Sequence, residues 1–463
     1  MDNQYARFGV VDTADHPFRV ALNFDRIHQR LVDLGRDYMV PGGQLAIHHE
    51  GETRHYEFGQ VRYGTGHPVT PASKIPIGSI TKTFTAALAL VLVSDGDLEL
   101  DRPVRDYLPE LRWTADLGAD LTLRHLLSHT GGLPCEPDDV RTTSLRRHVL
   151  DACRTLDPLH GPGAGFSYSN IGYLLVGHLI EATTGMTWWE AIDSILLGPL
   201  DRTCHFVVGA DADPSIASGH AVNLDSGRTR PVRQSLSVVD APAGALACSA
   251  LDLVALGRWL GGDGPPALLD PAALADMRTP VRRAEPFGMA DGWGLGLAVF
   301  QRNGDTWVGH DGNGDGTSCH LRINPDDGTV VALTTNAGSG FALWRRLVAE
   351  LRAAGLPVGD YDGFHRLERR IAPPPDCAGS YLNGSTEYEV RAVDRESLVL
   401  TVDGEPFADL SLFDGLVFAM CDSETGDTSQ TGRFVRDSED GGIAWIQIGG
   451  RLAKRRSPEP EIA

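Results

Sequence analysis

Ser79-Ile80-Thr81-Lys82 is the first stretch of this chain whose residue types and spacing suggest chemistry. It opens an apolar run that continues to Val93, so Ser79 falls at a helix start, where the positive end of the helix dipole favours a developing anion. Residues three apart share a helix face, which sets Lys82 one turn beyond Ser79. A lysine stripped of water there can lose its charge and accept the serine proton. The chain has only three lysines, Lys74, Lys82 and Lys454, and its other basic side chains of that strength are all arginine. Arginine does not deprotonate and cannot be such a base, and a lysine in a buried helix is rare unless it is paired or functional.

Two further groups complement this pair. In Tyr168-Ser169-Asn170, a phenol held near a lysine is expected to have a lowered pKa and to move protons to a leaving group. The Asn170 amide can orient both the lysine and a substrate carbonyl. In Gly309-His310-Asp311-Gly312-Asn313, Gly312 would let a substrate backbone approach a strand edge. The Asn313 N–H would complete an oxyanion hole with that of Ser79, and His310 would hydrogen-bond substrate or Tyr168. Taken singly, these two segments read as a loop tyrosine before a helix cap and as a Gly-rich turn between strands.

The elements that must position these groups follow from patterning. Residues 24–36 have helical spacing, and Gln44–His49 and Arg54–Gly59 read as strands around a Glu50-Gly51 turn. Ser79–Val93 is apolar on nearly every face and reads as a central buried helix stopped by Asp95-Gly96. The region to about residue 240 is mostly helical. From Trp293 onward, runs at Trp293–Gln301, Asp305–Gly309, Thr317–Asn324 and Thr329–Thr335 read as successive strands, followed by an amphipathic helix at Phe341–Ala354. Strands at both ends with helices between predict one antiparallel sheet and an inserted helical lobe. Ala372-Pro373-Pro374-Pro375 marks a stiff linker within 356–376. Beyond it, six short runs between Tyr388 and Ile448 predict a small barrel or sandwich over 377–463. That unit carries no catalytic cluster and is expected to be a structural or lid domain without which the preceding chain still folds.

Composition sets the boundaries. The 463 residues carry a formal charge of −21; the clustered cations that nucleic acid or an anionic membrane would need are not apparent. Met1–Val20 has no apolar core of a signal peptide, and the longest apolar run, Phe84–Val93, is half of the roughly 20 residues of a membrane span. The seven cysteines are scattered and form no C-x-x-C, so neither a disulfide framework nor a zinc site is expected. Reduced thiols in a cytoplasmic protein fit this reading. No metal or cofactor is called for. Asp311 to Gly316 matches the first half of a Ca²⁺ loop, but its twelfth position is Arg322 instead of a glutamate. Ser128-His129 and the His48-His49 pair read as structural.

Together, in this order and spacing, the three motifs resemble the serine β-lactamase and D,D-peptidase superfamily. The similarity is greatest to its group of β-lactamase-like esterases, D-aminopeptidases, transacylases and penicillin-binding-protein-type enzymes. The resemblance spans about residues 25–355, after an N-terminal extension over 1–24. It includes Leu98 to Val104, Tyr107-Leu108-Pro109, Leu123 to Leu133 and Pro242-Ala243-Gly244. It implies an α+β fold, an antiparallel sheet with helices on both faces plus a helical lobe, followed here by a small all-β, lipocalin-like barrel. It further implies an acyl-enzyme on Ser79, Lys82 and Tyr168 sharing the base role, and substrate contacts from Asn170, His310, Gly312 and Asn313. The substrate would be a small-molecule or peptide ester, thioester or amide, including D-residue peptides. Penicillin-degrading members usually carry Lys-Thr-Gly at the third motif. His310-Asp311-Gly312 departs from it and points toward the esterase and transacylase branch. Stand-alone peptide cyclases of nonribosomal peptide pathways, which release a peptidyl thioester onto an amine, are also similar. A non-catalytic acyl sensor is the remaining alternative.

Overall fold

The computed structural model describes residues 23–113, 117–136, 142–208, 215–264, 268–421, 428–437 and 441–456. The N-terminal extension expected over 1–24 lies almost wholly outside them.

A seven-stranded antiparallel sheet forms the frame. Its order is Glu52–Gly59, Gly42–His49, Val330–Thr335, Thr317–Ile323, Asp305–Gly314, Ala298–Arg302 and Gly292–Trp293. Strands from the two ends of the lobe meet where Leu45 pairs with Leu333. Alternate residues of a strand point to opposite faces. Leu45, Ile47, Val331 and Leu333 accordingly join a core with Ile27, Leu31, Leu343 and Trp344, supplied by the helices Phe24–Asp37 and Gly340–Ala353. Ala46, Val330, Ala332 and Leu321 join a second core with Leu253 and Leu256 of the helix Ala250–Gly261. Both faces are covered, so these strands read in sequence as continuous apolar runs instead of an alternation.

The second core continues into the helical lobe around Thr81–Ser94, of which Thr81 to Leu92 are all buried. Ser79 itself stands in a single 3₁₀ turn, Gly78–Ile80, immediately before that helix. The strand expected to end at Gly309 instead runs from Asp305 to Gly314. The segment read as a Gly-rich turn is therefore an ordered strand that pairs with Thr317–Ile323 on one side. The short strands His205–Phe206 and Leu246–Cys248, which sequence patterning does not reveal, set the Cys204 and Cys248 sulfurs 3.0 Å apart.

The C-terminal unit is a closed eight-stranded barrel from Gly379 to Arg455. Six of its strands match the expected runs. Gly379–Asn383 and Arg451–Arg455 complete the closure, pairing Tyr381 with Arg455. Full closure leaves the barrel with no sheet edge open to another chain. Among the described residues no helix is long and apolar enough to cross a membrane.

Candidate active site

The pair at the centre forms because Gly78–Ile80 presents Ser79 directly to the first turn of the buried helix. Lys82 Nζ lies 3.1 Å from Ser79 Oγ and donates to the Ala243 carbonyl oxygen at 2.8 Å. Thr85 donates to the Pro242 carbonyl at 2.7 Å, so the Pro242-Ala243-Gly244 turn is stitched along the nucleophile helix. Lys82 is only 1% exposed. Burial lowers its pKa to about 7, opposed by the charges of Cys135, Glu136 and Asp240 and assisted by Arg451. The ammonium's partners are Ser79 and a main-chain carbonyl, where sequence reasoning had Asn170 orienting it.

Tyr168 is 3% exposed, with its ring centroid 5.2 Å from Lys82 Nζ. Burial pushes the phenol's pKa up, while Ser79 and Arg451 pull it back down. The expected lowering is thus reversed: desolvation of a phenolate outweighs the neighbouring cations, and Tyr168 stays protonated at neutral pH. Its hydroxyl is buried without a hydrogen-bond partner. His129, read as structural, packs against Tyr168 with centroids 4.3 Å apart and accepts from the Ser169 N–H at its Nδ1. Trp293 and Phe166 close the same aromatic wall.

Asn170 reaches the cavity from the start of the helix Asn170–Thr184. Its main-chain N–H donates to the Cys135 carbonyl at 2.8 Å, its side-chain amide donates to Glu136, and its Oδ1 is buried and unpartnered. The third motif lies on the other side. A Cβ on Gly312 would sit 1.9 Å from the Ile77 carbonyl oxygen and 3.0 Å from the Ile80 nitrogen. Glycine here admits the protein's own nucleophile turn, where sequence reasoning expected a substrate backbone. Asn313 lines the cavity. His310 does not: it is 1% exposed, its Nδ1–H donates to the Asp311 carbonyl at 2.6 Å, and burial followed by the Lys82 charge lowers its pKa to about 4. Asp311 faces Arg322 through two bonds of 2.7 and 3.0 Å and His320 at 2.7 Å. Against the pull of burial, these partners hold its carboxyl well below the usual range. Asp311, which opens the half-matched cation loop, and Arg322 at its twelfth position therefore form a part-buried ion pair.

Gly312→Ala is expected to force the strand from the nucleophile turn and to slow Ser79 acylation by about 100-fold, the order that a 1 Å misplacement costs. Intact-mass kinetics of the Ser79 adduct would check this. Acylation at the unchanged rate would mean that this contact does not set the serine.

The open space at Ser79 is a cavity of about 360 Å³ lined by Ser79, Asn170, Ala243, Gly244 and Asn313, with Glu136, Asp240 and Asp315 among its other walls. The barrel reaches its far side. The Tyr168 N–H donates to the Gly450 carbonyl at 3.0 Å, the Cys135 N–H to Asn383 Oδ1 at 2.7 Å, and Arg451 Nε to Cys135 Sγ at 3.1 Å. The Arg451 guanidinium also lies 5.5 Å from the Tyr168 ring centroid. Sequence reasoning missed Arg451, Asn383, Glu136 and Asp240, since none stands in a motif. A buried-looking arginine after Gly449-Gly450 was the only signal available.

A serine paired with a buried lysine beside a protonated phenol, on an antiparallel sheet with a helical lobe, defines a β-lactamase-like fold of the serine hydrolases. The β-lactamase family model matches residues 24–353, and the chain belongs to that family, which includes penicillin-binding proteins and serine hydrolases. It is 32% identical over 366 residues to penicillin-binding protein 4 of Amycolatopsis lactamdurans, covering 76% of this chain and 94% of that one. It is 27% identical to a β-lactamase of Escherichia coli strain K12 over 51% of this chain and 60% of the relative. Among solved structures, SurE superposes with a TM-score of 0.82 at 39% identity, covering 93% of this chain and 98% of SurE.

Proposed function

We propose that Ser79 is acylated by an ester, thioester or amide whose acyl group ends in a D-configured residue, and that the acyl group passes on to an amine or to water. The observation that carries this reading is the 3.1 Å approach of Lys82 Nζ to Ser79 Oγ in a setting that brings the lysine to about 7. Neutral Lys82 takes the serine proton, Ser79 Oγ bonds to the acyl carbon, and protonated Tyr168 relays a proton to the leaving group. Ser79 and Asn313 supply main-chain N–H groups to the oxyanion, and Asn170 offers its free Oδ1 to a substrate N–H. The D-configuration is supported by likeness, 38% identity over 93% of this chain, to SurE, which has also been solved with D-Leu. Transfer to an amine, as in a peptide cyclase or transacylase, is the arm we propose over hydrolysis. Penicillin hydrolysis is not proposed: no lysine, arginine or histidine is among the described residues lining the cavity to meet a β-lactam carboxylate.

The test is intact-mass and product analysis of the full chain with simple esters, a cephalosporin, D-alanyl peptides and peptidyl thioesters, in the presence of an amine. An adduct on Ser79 with amide or macrocycle as the main product is expected. Free acid alone would make it a hydrolase, and a permanent adduct or none would overturn the catalytic reading.

A further inference from the structure

The wall of the Ser79 cavity is anionic. Glu136, Asp240 and Asp315 line it, and no cationic side chain is among the described residues that line it. Asp315 is engaged, accepting from the Ser235 main chain and, at 2.8 Å, from the Ser235 hydroxyl. Glu136 accepts from the Asn170 amide and, at 3.4 Å, from the Cys135 thiol, and Glu136 and Asp240 act on each other and on Lys82. Burial and then the Glu136 charge raise the Asp240 pKa to about 6, and both carboxylates draw the Lys82 pKa upward. Two carboxylates thus line one space beside the nucleophile, with Lys82 the cation both act on, and like charges facing one space favour the entry of a further cation. Asn170 Oδ1 is a buried acceptor with no partner, and the Tyr168 hydroxyl, on a side chain 3% exposed, lies behind the cavity within reach of Ser79. An alkylammonium carries three N–H donors and no acceptor, matching Glu136, Asp240 and Asn170 Oδ1. A carboxylate would meet the Glu136 and Asp240 charges.

Resting on the acyl-enzyme reading above, we propose that the acyl acceptor is a primary amine bound as its ammonium by Glu136 and Asp240, and that acceptors bearing a carboxylate next to the amine are rejected. The bound ammonium passes one proton to the Asp240 carboxylate. The free amine attacks the acyl carbon, the C–N bond forms and the bond from that carbon to Ser79 Oγ breaks. The second nitrogen proton returns through Tyr168 and Lys82 to Ser79 Oγ, and Asp240 releases its proton to solvent.

The test uses the full chain and a neutral donor, an N-acetyl-D-leucyl thioester of N-acetylcysteamine, with L-alaninamide or L-alanine as acceptor. The readout is the ratio of amide to free acid formed from the Ser79 adduct, which is independent of how fast the adduct forms. Alaninamide is expected to give a ratio at least about tenfold above alanine, the order of one charge-assisted hydrogen bond. Glu136→Gln and Asp240→Asn should each lower the alaninamide ratio by about tenfold. Equal ratios for the two acceptors, or ratios unchanged in both variants, would overturn the proposal while leaving the acyl-enzyme reading standing. Absence of a Ser79 adduct in the unchanged chain, with this donor and with the wider panel, would overturn that reading and this one with it.

Discussion

Lys82→Arg is expected to acylate Ser79 at least about 100-fold more slowly than the unchanged chain, because the positive charge is retained and the base is lost. In the unchanged chain, Lys82 reaches Ser79 Oγ from a fully buried position, and its neutral form is already accessible near pH 7. The sign of the pH dependence follows. Below about 7 the lysine is an ammonium and cannot accept the serine proton, so the acylation rate should climb as pH rises through about 7 and then level off. Lys82→Arg should be slow at every pH and lose that rise. The larger guanidinium also has to fit a position only 1% exposed, so Lys82→Met, closer in shape and equally unable to act as a base, is the companion variant. Single-turnover measurement of the Ser79 adduct, with far-UV circular dichroism as the check on folding, reads both. More than about a tenth of the rate remaining in a folded Lys82→Met or Lys82→Arg chain would remove Lys82 from the base role.

The frame of the fold was legible because its causes are local. The wholly apolar run Phe84–Val93, the turn residues between strands after Trp293 and the triple proline each impose one structure wherever they occur. The Ser79–Lys82 spacing was legible for the same reason: helical geometry alone brings residues three apart together. What could not be read was produced by tertiary contact. Tyr168 was expected to be a lowered phenol because a lysine is near; burial, invisible in sequence, reverses the sign. Gly312 serves the close approach of the Ile77 carbonyl, a partner 235 positions away in the chain. The barrel strand Arg451–Arg455 is charged and lacks alternation, so patterning marked no strand after Ile448. With that strand went the arginine that backs Tyr168. Glu136 and Asp240 belong to no motif and meet only because the loop after Leu133 and the turn before Ala241 face the same cavity.

Removing the barrel, residues 377–463, is expected to abolish acylation, by about 100-fold or more where soluble protein is recovered at all. Sequence patterning alone separates this unit at a proline-rich linker and suggests that the rest would stand without it. The contacts argue otherwise. Gly450, at φ +72°, turns its carbonyl onto the Tyr168 N–H, and its own N–H donates to the Phe287 carbonyl at 2.9 Å. Asn383, buried in the barrel wall, holds the Cys135 N–H and the Leu452 carbonyl, both at 2.7 Å. Gln447 donates to the Glu285 carbonyl at 3.0 Å. Truncation would strip partners from buried main-chain groups on both flanks of Tyr168, each costing about 1–3 kcal/mol when left unpaired. A finer variant separates electrostatics from support. Arg451→Met keeps the barrel docked and removes a cation that lowers the pKa of both Lys82 and Tyr168. Without it, Lys82 holds its proton to higher pH, and the rise of the acylation rate should move to higher pH while the chain stays folded. A rate profile with its midpoint unmoved in folded Arg451→Met would reduce Arg451 to packing. An active, soluble chain ending at residue 376 would show that the barrel's hold on the Tyr168 loop is not needed for acylation.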